Sequence, residues 1–355
     1  MEISNILINW YGQNKRDLPW RTSSDPYIIW VSEIILQQTR VDQGTEYFTR
    51  FITRFPDVYS LAEASEQEVL KLWQGLGYYT RARNMHASAK IVVENLNGIF
   101  PGKSEEMIKL KGIGPYTAAA IASICFAEPT PVVDGNVMRV IARLFGITKA
   151  VNTPEGQKEV HEACTLILDR KHPGEFNQAI MEFGALQCKP VNPACVSCPL
   201  QLSCIAFRTG EVEGLPLKIK PAQPRARHFN YLAVIHPDTN GDQAIYIKKR
   251  TGRDIWEGLY ELPLIEMTTA TEPGELYGSE EWNAVFRNQP LEILEYSNDY
   301  KHQLSHQTIH ARFVLIKVQD IPEGSDSWLQ VKLSNLSEFP VPRLIDRYFK
   351  YLELL

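Results

Sequence analysis

Cys188-Lys189-Pro190-Val191-Asn192-Pro193-Ala194-Cys195-Val196-Ser197-Cys198-Pro199-Leu200-Gln201-Leu202-Ser203-Cys204 is the stretch on which the fold turns. Four cysteines at irregular short spacing, interleaved with Pro190, Pro193 and Pro199 and following a helix-like run, describe one loop wrapped round a compact metal centre. A [4Fe–4S] cluster takes four cysteine thiolates, and an uninterrupted loop of this size can present all four to one cube. Structural zinc also accepts four thiolates, usually as two closely spaced pairs. Only Cys195 and Cys198 form such a pair, so the cluster is preferred and zinc stays the rival. A disulfide framework fits least, because Cys125 and Cys164 sit singly in apolar helical runs, as reduced core cysteines do.

Upstream of this loop, from about residue 2 to 187, apolar residues recur at three- and four-residue steps, as in Ile28, Val31, Ile34, Ile35 and Val137, Val140, Ile141, Leu144. Gly98, Pro101, the break at Lys111–Pro115, Gly146 and Pro173-Gly174 read as helix stops. Downstream, residues 208–228 carry glycines, prolines and scattered basic residues and read as a linker. The texture then changes. Tyr231–His236 and Ala244–Lys248 look like strands flanking an Asn240-Gly241 turn, with a further strand over 310–318 and a terminal helix over 344–352. An all-α domain closed by the cysteine loop (1–207), the linker and a smaller α+β domain (229–355) make a multidomain chain of 355 residues.

Composition is that of a globular protein rather than a disordered one, at 44% hydrophobic and 22% charged. No run of about 18 apolar residues occurs, and Met1-Glu2-Ile3-Ser4 does not begin a signal segment, so a soluble, cytoplasmic protein without membrane contact is expected; it is also expected to be a monomer. A net charge of −5 argues against indiscriminate coating of DNA, yet local patches and backbone amides can still hold phosphates.

Leu110-Lys111-Gly112-Ile113-Gly114-Pro115-Tyr116-Thr117-Ala118 sets a Gly-x-Gly turn between two helices. Glycines there let the backbone approach a ligand closely, and the next helix offers free N–H groups to a phosphate. A plain helical hairpin would use the same glycines. About 20 residues on, Val132-Val133-Asp134-Gly135-Asn136-Val137 places an aspartate where a helix begins, a position that also suits an N-cap.

With hairpin, aspartate and cysteine loop in this order, the chain resembles the helix–hairpin–helix DNA glycosylases that carry an iron–sulfur cluster. The resemblance to their adenine DNA glycosylase (MutY) branch covers nearly the whole length. It rests on Arg16–Arg21, Ser32–Thr39, Gly75–Tyr79, the hairpin, Asp134–Val137 and Phe176–Gln178. The resemblance implies a glycosylase domain over 1–207, including the cluster loop at 188–204, held by Cys188, Cys195, Cys198 and Cys204. A scaffolding role for the cluster is expected, since base hydrolysis moves no electrons; a redox role is not readable from the residues.

Relatives that also cut the strand carry a lysine in the hairpin. Here that position is Tyr116, which cannot form an imine with the sugar, so base removal alone is expected. Departure of adenine needs a proton donor, and Glu33 is the candidate acid, its pKa raised in an apolar pocket; a solvated helix-face glutamate would look the same in sequence. Asp134 is expected to stay ionised against a cationic sugar, either stabilising that charge or bonding transiently to C1′. Tyr116 and Asn136 position the reacting groups. By resemblance, Arg16, Trp20, Arg21 and Gln178 line the adenine pocket, although Trp20 also suits a core. Gln38, Thr39, Leu76 and Tyr78 enter the duplex beside the orphaned partner base, while Gly112, Gly114 and Thr117 meet the DNA backbone.

Ile245–Arg250 and Ile255–Pro263 resemble the opening strands of a Nudix fold. No magnesium-binding helix follows, since Glu280-Glu281 stands isolated, so lesion reading rather than hydrolysis is expected. In the family a Phe-Ser-His loop inspects 8-oxoguanine. Here it is Leu304-Ser305-His306, with Ser305 and His306 kept as candidate contacts. The expected partner is duplex DNA with adenine opposite 8-oxoguanine or guanine, in the nucleoid. The alternatives are a bifunctional glycosylase and lyase resembling endonuclease III, and a non-catalytic DNA-binding iron–sulfur protein.

Overall fold

A computed structural model describes residues 2–220, 223–237, 242–287, 289–320 and 322–354. The chain forms two compact units, one of residues 1–63 and 84–220 and the other of 64–83 and 221–355.

The first unit is helical. Helix Pro26–Leu36 starts at Asp25, whose carboxylate accepts from the Tyr27 N–H, and Pro26 sits in the first turn where its missing N–H costs nothing. Eight of its residues, Glu33 among them, are buried, because this is a central helix with apolar side chains on every face. Helices Glu2–Asn14, Gly135–Phe145, Pro154–Ile167 and Pro173–Leu186 close a second core on Leu7, Tyr11, Ile141, Val160, Phe176 and Phe183. Burying a phenylalanine such as Phe176 contributes roughly 2–3 kcal/mol. Pro173-Gly174 opens a helix rather than ending one, since proline is well placed at the first helical position.

The second unit is an eight-stranded mixed sheet: β1 Arg225–Pro237, β2 Gln243–Lys249, β3 Tyr260–Glu261, β4 Leu264–Met267, β5 Leu291–Tyr296, β6 Tyr300–Gln303, β7 Gln307–Val318 and β8 Leu329–Lys332. The order is β3-β2-β1-β7-β5, with β4 pairing β1, β6 pairing β7 and β8 pairing β2. β1 and β7 run parallel from Arg225↔Gln307 to Ile235↔Lys317. Alternate β1 side chains feed two cores. Tyr231 and Ala233 face helix Arg343–Tyr351, whereas Leu232 and Val234 face Trp282 and Phe286 of helix Glu280–Phe286.

Two boundaries differ from the sequence reading. Strand β1 begins at Arg225 and a short helix runs to Thr209, so both ends of the expected linker are structured. Residues 64–83 leave the contiguous helical domain and cluster with the C-terminal sheet. Helix Glu66–Trp73 and its C-cap Gln74 make polar contacts there: the Tyr260 hydroxyl donates to Gln67 (3.2 Å), Lys71 donates to the Phe339 carbonyl (3.3 Å) and Gln74 to Asp346 (3.3 Å). The β1–β2 pairing is present, but the Asn240-Gly241 turn lies outside the described residues.

Candidate active site

Helices Pro26–Leu36 and Pro115–Phe126 bring Glu33 and Tyr116 together, and the Tyr116 hydroxyl donates to Glu33 Oε2 at 2.5 Å. Glu33 is 8% exposed, and burial, reinforced by the Asp134 charge and opposed by the Tyr116 hydrogen bond, lifts its pKa to about 7. Burial also pushes the Tyr116 phenol well up, so it serves as a neutral donor. Since Oε2 accepts from tyrosine, Oε1 is left as the oxygen that can carry the acidic proton.

Asp134 caps helix Gly135–Phe145: Oδ1 accepts from the Val137 N–H (2.7 Å) and Oδ2 from the Asn136 amide (2.9 Å). Both carboxylate oxygens therefore accept, which favours the anion, while burial lifts the pKa above the usual aspartate value. The approach to Asp134 is fixed by Asn177, fully buried, which accepts from the Val132 N–H (3.0 Å) and donates to the Thr130 carbonyl and Ser123 hydroxyl (2.9 Å each). Asn136 in turn accepts from Arg139 (3.0 Å), whose guanidinium also reaches the carbonyls of Gly184 (2.7 Å) and Cys188 (2.8 Å). Helix Pro173–Leu186 passes so close that a Cβ on Gly184 would meet the Asn136 Cβ at 2.7 Å.

These groups line one cavity of about 540 Å³, shared with Arg16, Trp20, Arg21, Gln37, Gln38, Thr39, Gln178 and Glu182. The resemblance implies that Arg16 and Arg21 read a base. In the structure both are clamped on Glu182, Arg16 at 2.9 and 2.6 Å and Arg21 at 2.9 and 2.7 Å. Although Glu182 is only 1% exposed, those bonds overcome the burial that would raise it and hold its carboxyl at about 2. Trp20 is buried edge-on against Phe48 and also borders the cavity, so its core and pocket readings coexist. Gln178 accepts from the buried Tyr11 hydroxyl at 2.6 Å.

In the hairpin, Gly112 holds φ +78°, where a Cβ would strike Asn84 at 2.7 Å, and Gly114 precedes helix Pro115–Phe126 as its exposed N-cap. Thr117 needs correction as a surface contact. Its side chain is buried and accepts from the Gln37 amide (3.2 Å), because it lies on the face of its helix turned toward Pro26–Leu36. Gln38 is exposed with φ +60°, and Thr39 is half-buried beside it.

Cys188, Cys195, Cys198 and Cys204 line a single, almost wholly apolar cavity with Val140, Leu144 and Leu200. Buried Arg143 anchors this loop, donating to the carbonyls of Lys189 (2.7 Å), Pro190 (3.1 Å) and Leu215 (2.9 Å) and lying 3.5 Å from the Cys188 sulfur. Among the described residues no three His, Cys, Asp or Glu side chains gather round one point as a single ion requires. The four thiols are spread round one largely apolar cavity.

In the second unit Tyr78 is exposed (46%) at φ +49°, and Tyr79 is buried (6%) as its core partner. Leu76, Tyr78, Ser305 and His306 border one cavity of about 680 Å³ with Trp256 and His302. Ser305 and His306 are exposed on the β6–β7 turn, while Leu304 turns inward onto the core. Glu280 and Glu281 lie exposed in the first turn of their helix.

Glu182, Tyr11, Arg139 and Arg143 escaped the sequence reading. Spacing could have found three of them: Glu182 lies four residues after Gln178, Arg139 three after Asn136 and Arg143 four after Arg139, each pair on one helix face. Nothing local marks Tyr11.

Residues 31–167 match the model for HhH-GPD superfamily base excision DNA repair proteins, and residues 232–351 match the NUDIX domain. An adenine DNA glycosylase of Buchnera aphidicola subsp. Acyrthosiphon pisum (strain APS) is 34% identical over 351 residues, spanning 97% of this chain and 95% of that protein. The adenine DNA glycosylase of Homo sapiens is 42% identical over 218 residues, spanning 59% and 40%. A solved thermostable thymine-DNA glycosylase superposes with TM-score 0.54 at 26% identity, covering 58% of this chain and 95% of that one. No helix among the described residues is long and apolar enough to cross a membrane. With a relative 34% identical over 97% of this chain and 95% of its own length, the chain belongs to the adenine DNA glycosylase family.

Proposed function

We propose that the protein is a monofunctional adenine DNA glycosylase that removes adenine lying opposite 8-oxoguanine, and less readily opposite guanine, in duplex DNA. The observation that carries the reading is the pair of unlike carboxylates on one cavity: Glu33 raised to about 7 and hydrogen-bonded by Tyr116, and Asp134 accepting on both oxygens. Adenine enters the cavity after leaving the base stack. Glu33 passes its proton to a ring nitrogen of the purine. The C1′–N9 bond breaks, its electron pair leaves with adenine, and Asp134 faces the resulting sugar cation. Water then adds to C1′, and the ionised Glu33 accepts its proton. Tyr116 stands where a strand-cutting enzyme has its lysine, so the product is an abasic site on an intact strand.

Cys188, Cys195, Cys198 and Cys204 would hold a [4Fe–4S] cluster, the four thiols lining one largely apolar cavity. Bound there, it supplies a cross-link that keeps the loop folded. In the second unit, Ser305 is the residue proposed to meet the N7–H or O8 of the oxidised partner base, beside the exposed Tyr78.

The test is single-turnover incubation with a duplex carrying adenine opposite 8-oxoguanine, followed by hot alkali. Strand cleavage should appear only after alkali, and borohydride should trap no covalent complex. An intact strand after alkali, with protein showing the cluster's visible absorption, would overturn the reading. A borohydride-trapped complex would replace it with the lyase.

A further inference from the structure

Gln178 is one of the neutral amides on the cavity wall, with Gln37, Gln38 and Asn136, and an amide can be read in two senses. With its carbonyl and N–H groups in one order it complements a base edge that offers an amino donor next to a ring-nitrogen acceptor. Rotated by half a turn it complements an edge that offers a carbonyl acceptor next to a ring N–H. The first edge is adenine's and the second is shared by guanine and hypoxanthine. Gln178 alone therefore does not specify a base. A hydrogen-bond partner of the amide has to choose the sense.

Tyr11 is that group in position. It sits in the core of the first unit and borders no part of the cavity, yet its hydroxyl donates to Gln178 Oε1 at 2.6 Å. Its ring is held in turn. The Arg21 guanidinium lies over it at 5.4 Å, and Arg21 is tied to Glu182. Rotating the amide would put N–H groups against the phenol and leave a buried hydroxyl proton without its acceptor, which is costly in a core.

We propose that Tyr11 sets the base preference of the cavity by locking the Gln178 amide in the order that complements adenine, its hydroxyl holding one lone pair of Oε1 while Nε2 is left to donate to a ring nitrogen of the base. The second lone pair of Oε1 stays free for adenine's amino group. Tyr11 is thus a positioning residue acting through Gln178. The inference rests on the adenine glycosylase reading above.

Excision of adenine and of hypoxanthine from the same position of one duplex, under single-turnover conditions, tests it. Tyr11→Phe removes only the hydroxyl. Adenine excision should fall by about threefold while hypoxanthine excision rises by about threefold, so that the preference narrows roughly tenfold, the loss of about one hydrogen bond's worth of discrimination. Gln178→Leu should narrow the preference likewise, and adding Tyr11→Phe to it should change nothing more. An unchanged preference in Tyr11→Phe of normal melting temperature overturns the lock. So does a preference that Gln178→Leu leaves untouched, or one that Tyr11→Phe still narrows in that background. Wild-type protein that releases no adenine at all refutes the activity itself, an outcome distinct from these.

Discussion

Glu33 and Glu182 border the same cavity and are both removed from solvent, at 8% and 1% exposure, yet they titrate on opposite sides of the ordinary glutamate value. Glu33 has one neutral donor, Tyr116, and an anionic neighbour in Asp134, so burial wins and the proton stays until about pH 7. Glu182 has two guanidinium groups and a backbone N–H from Arg16, so hydrogen bonding and charge win and the proton leaves at about 2. Burial is common to both; the partner decides. The cavity thus has one wall that keeps a proton up to about pH 7 and another that stays charged and holds its neighbours still.

Removing the carboxyl from either wall should separate the two jobs. Glu33→Gln keeps the shape but leaves no acid, and adenine release should fall by about 10³-fold with DNA binding retained, as read by single-turnover excision and by a binding titration. Substantial excision by that variant would reassign the acid. Glu182→Gln should act first on stability, because it strands Arg21 and Arg16 beside a neutral amide. Breaking a buried pair costs about 3–5 kcal/mol, reduced here to roughly 2–3 because Arg16 is about a third exposed. For a unit of this size the melting temperature should drop by roughly 5–10 °C.

The same contrast predicts opposite pH windows. A carboxyl whose folded pKa is raised favours the folded state at low pH, so Glu33's contribution is full below its unfolded value of 4.5 and is lost as pH rises through about 7. Glu182's folded pKa is depressed, so its contribution is full above 4.5 and is lost as pH falls through about 2. Urea melts across pH should show the upper slope vanish in Glu33→Gln and the lower slope vanish in Glu182→Gln. The excision rate should decline above about pH 7 in wild type, following the proton on Glu33.

How legible this contrast is in the sequence depends on which kind of partner does the work. Asp134, Asn136 and the cysteines announce themselves because they lie close together in the chain and their spacing carries the chemistry. The acid–tyrosine pair is legible only through the hairpin, because Glu33 and Tyr116 are 83 residues apart and meet by helix packing. The Arg16–Glu182 clamp spans 166 residues, and without it both arginines look like free base readers. Thr117 misled for the same reason: polarity at a helix start is visible in sequence, but the face it turns inward is not. The migration of residues 64–83 to the sheet unit was equally invisible, since Gln67 and Gln74 find their partners in segments joined to them only by the fold.

The smallest expected effect probes the balance within the Glu33 wall itself. Tyr116→Phe deletes the one hydrogen bond that favours the ionised glutamate and leaves burial and Asp134 in place. Glu33 should then hold its proton to higher pH, and the falling limb of the pH–rate profile should move upward from about 7 while the rate on the plateau drops only several-fold. A limb that moved downward would mean that the phenol normally stabilises the neutral carboxyl, which reverses the donor assignment between Tyr116 and Glu33. A limb that stayed put, with the plateau lost, would mean that Tyr116 serves the sugar or the water and not the acid. The direction of the shift therefore reports which way the hydrogen bond points.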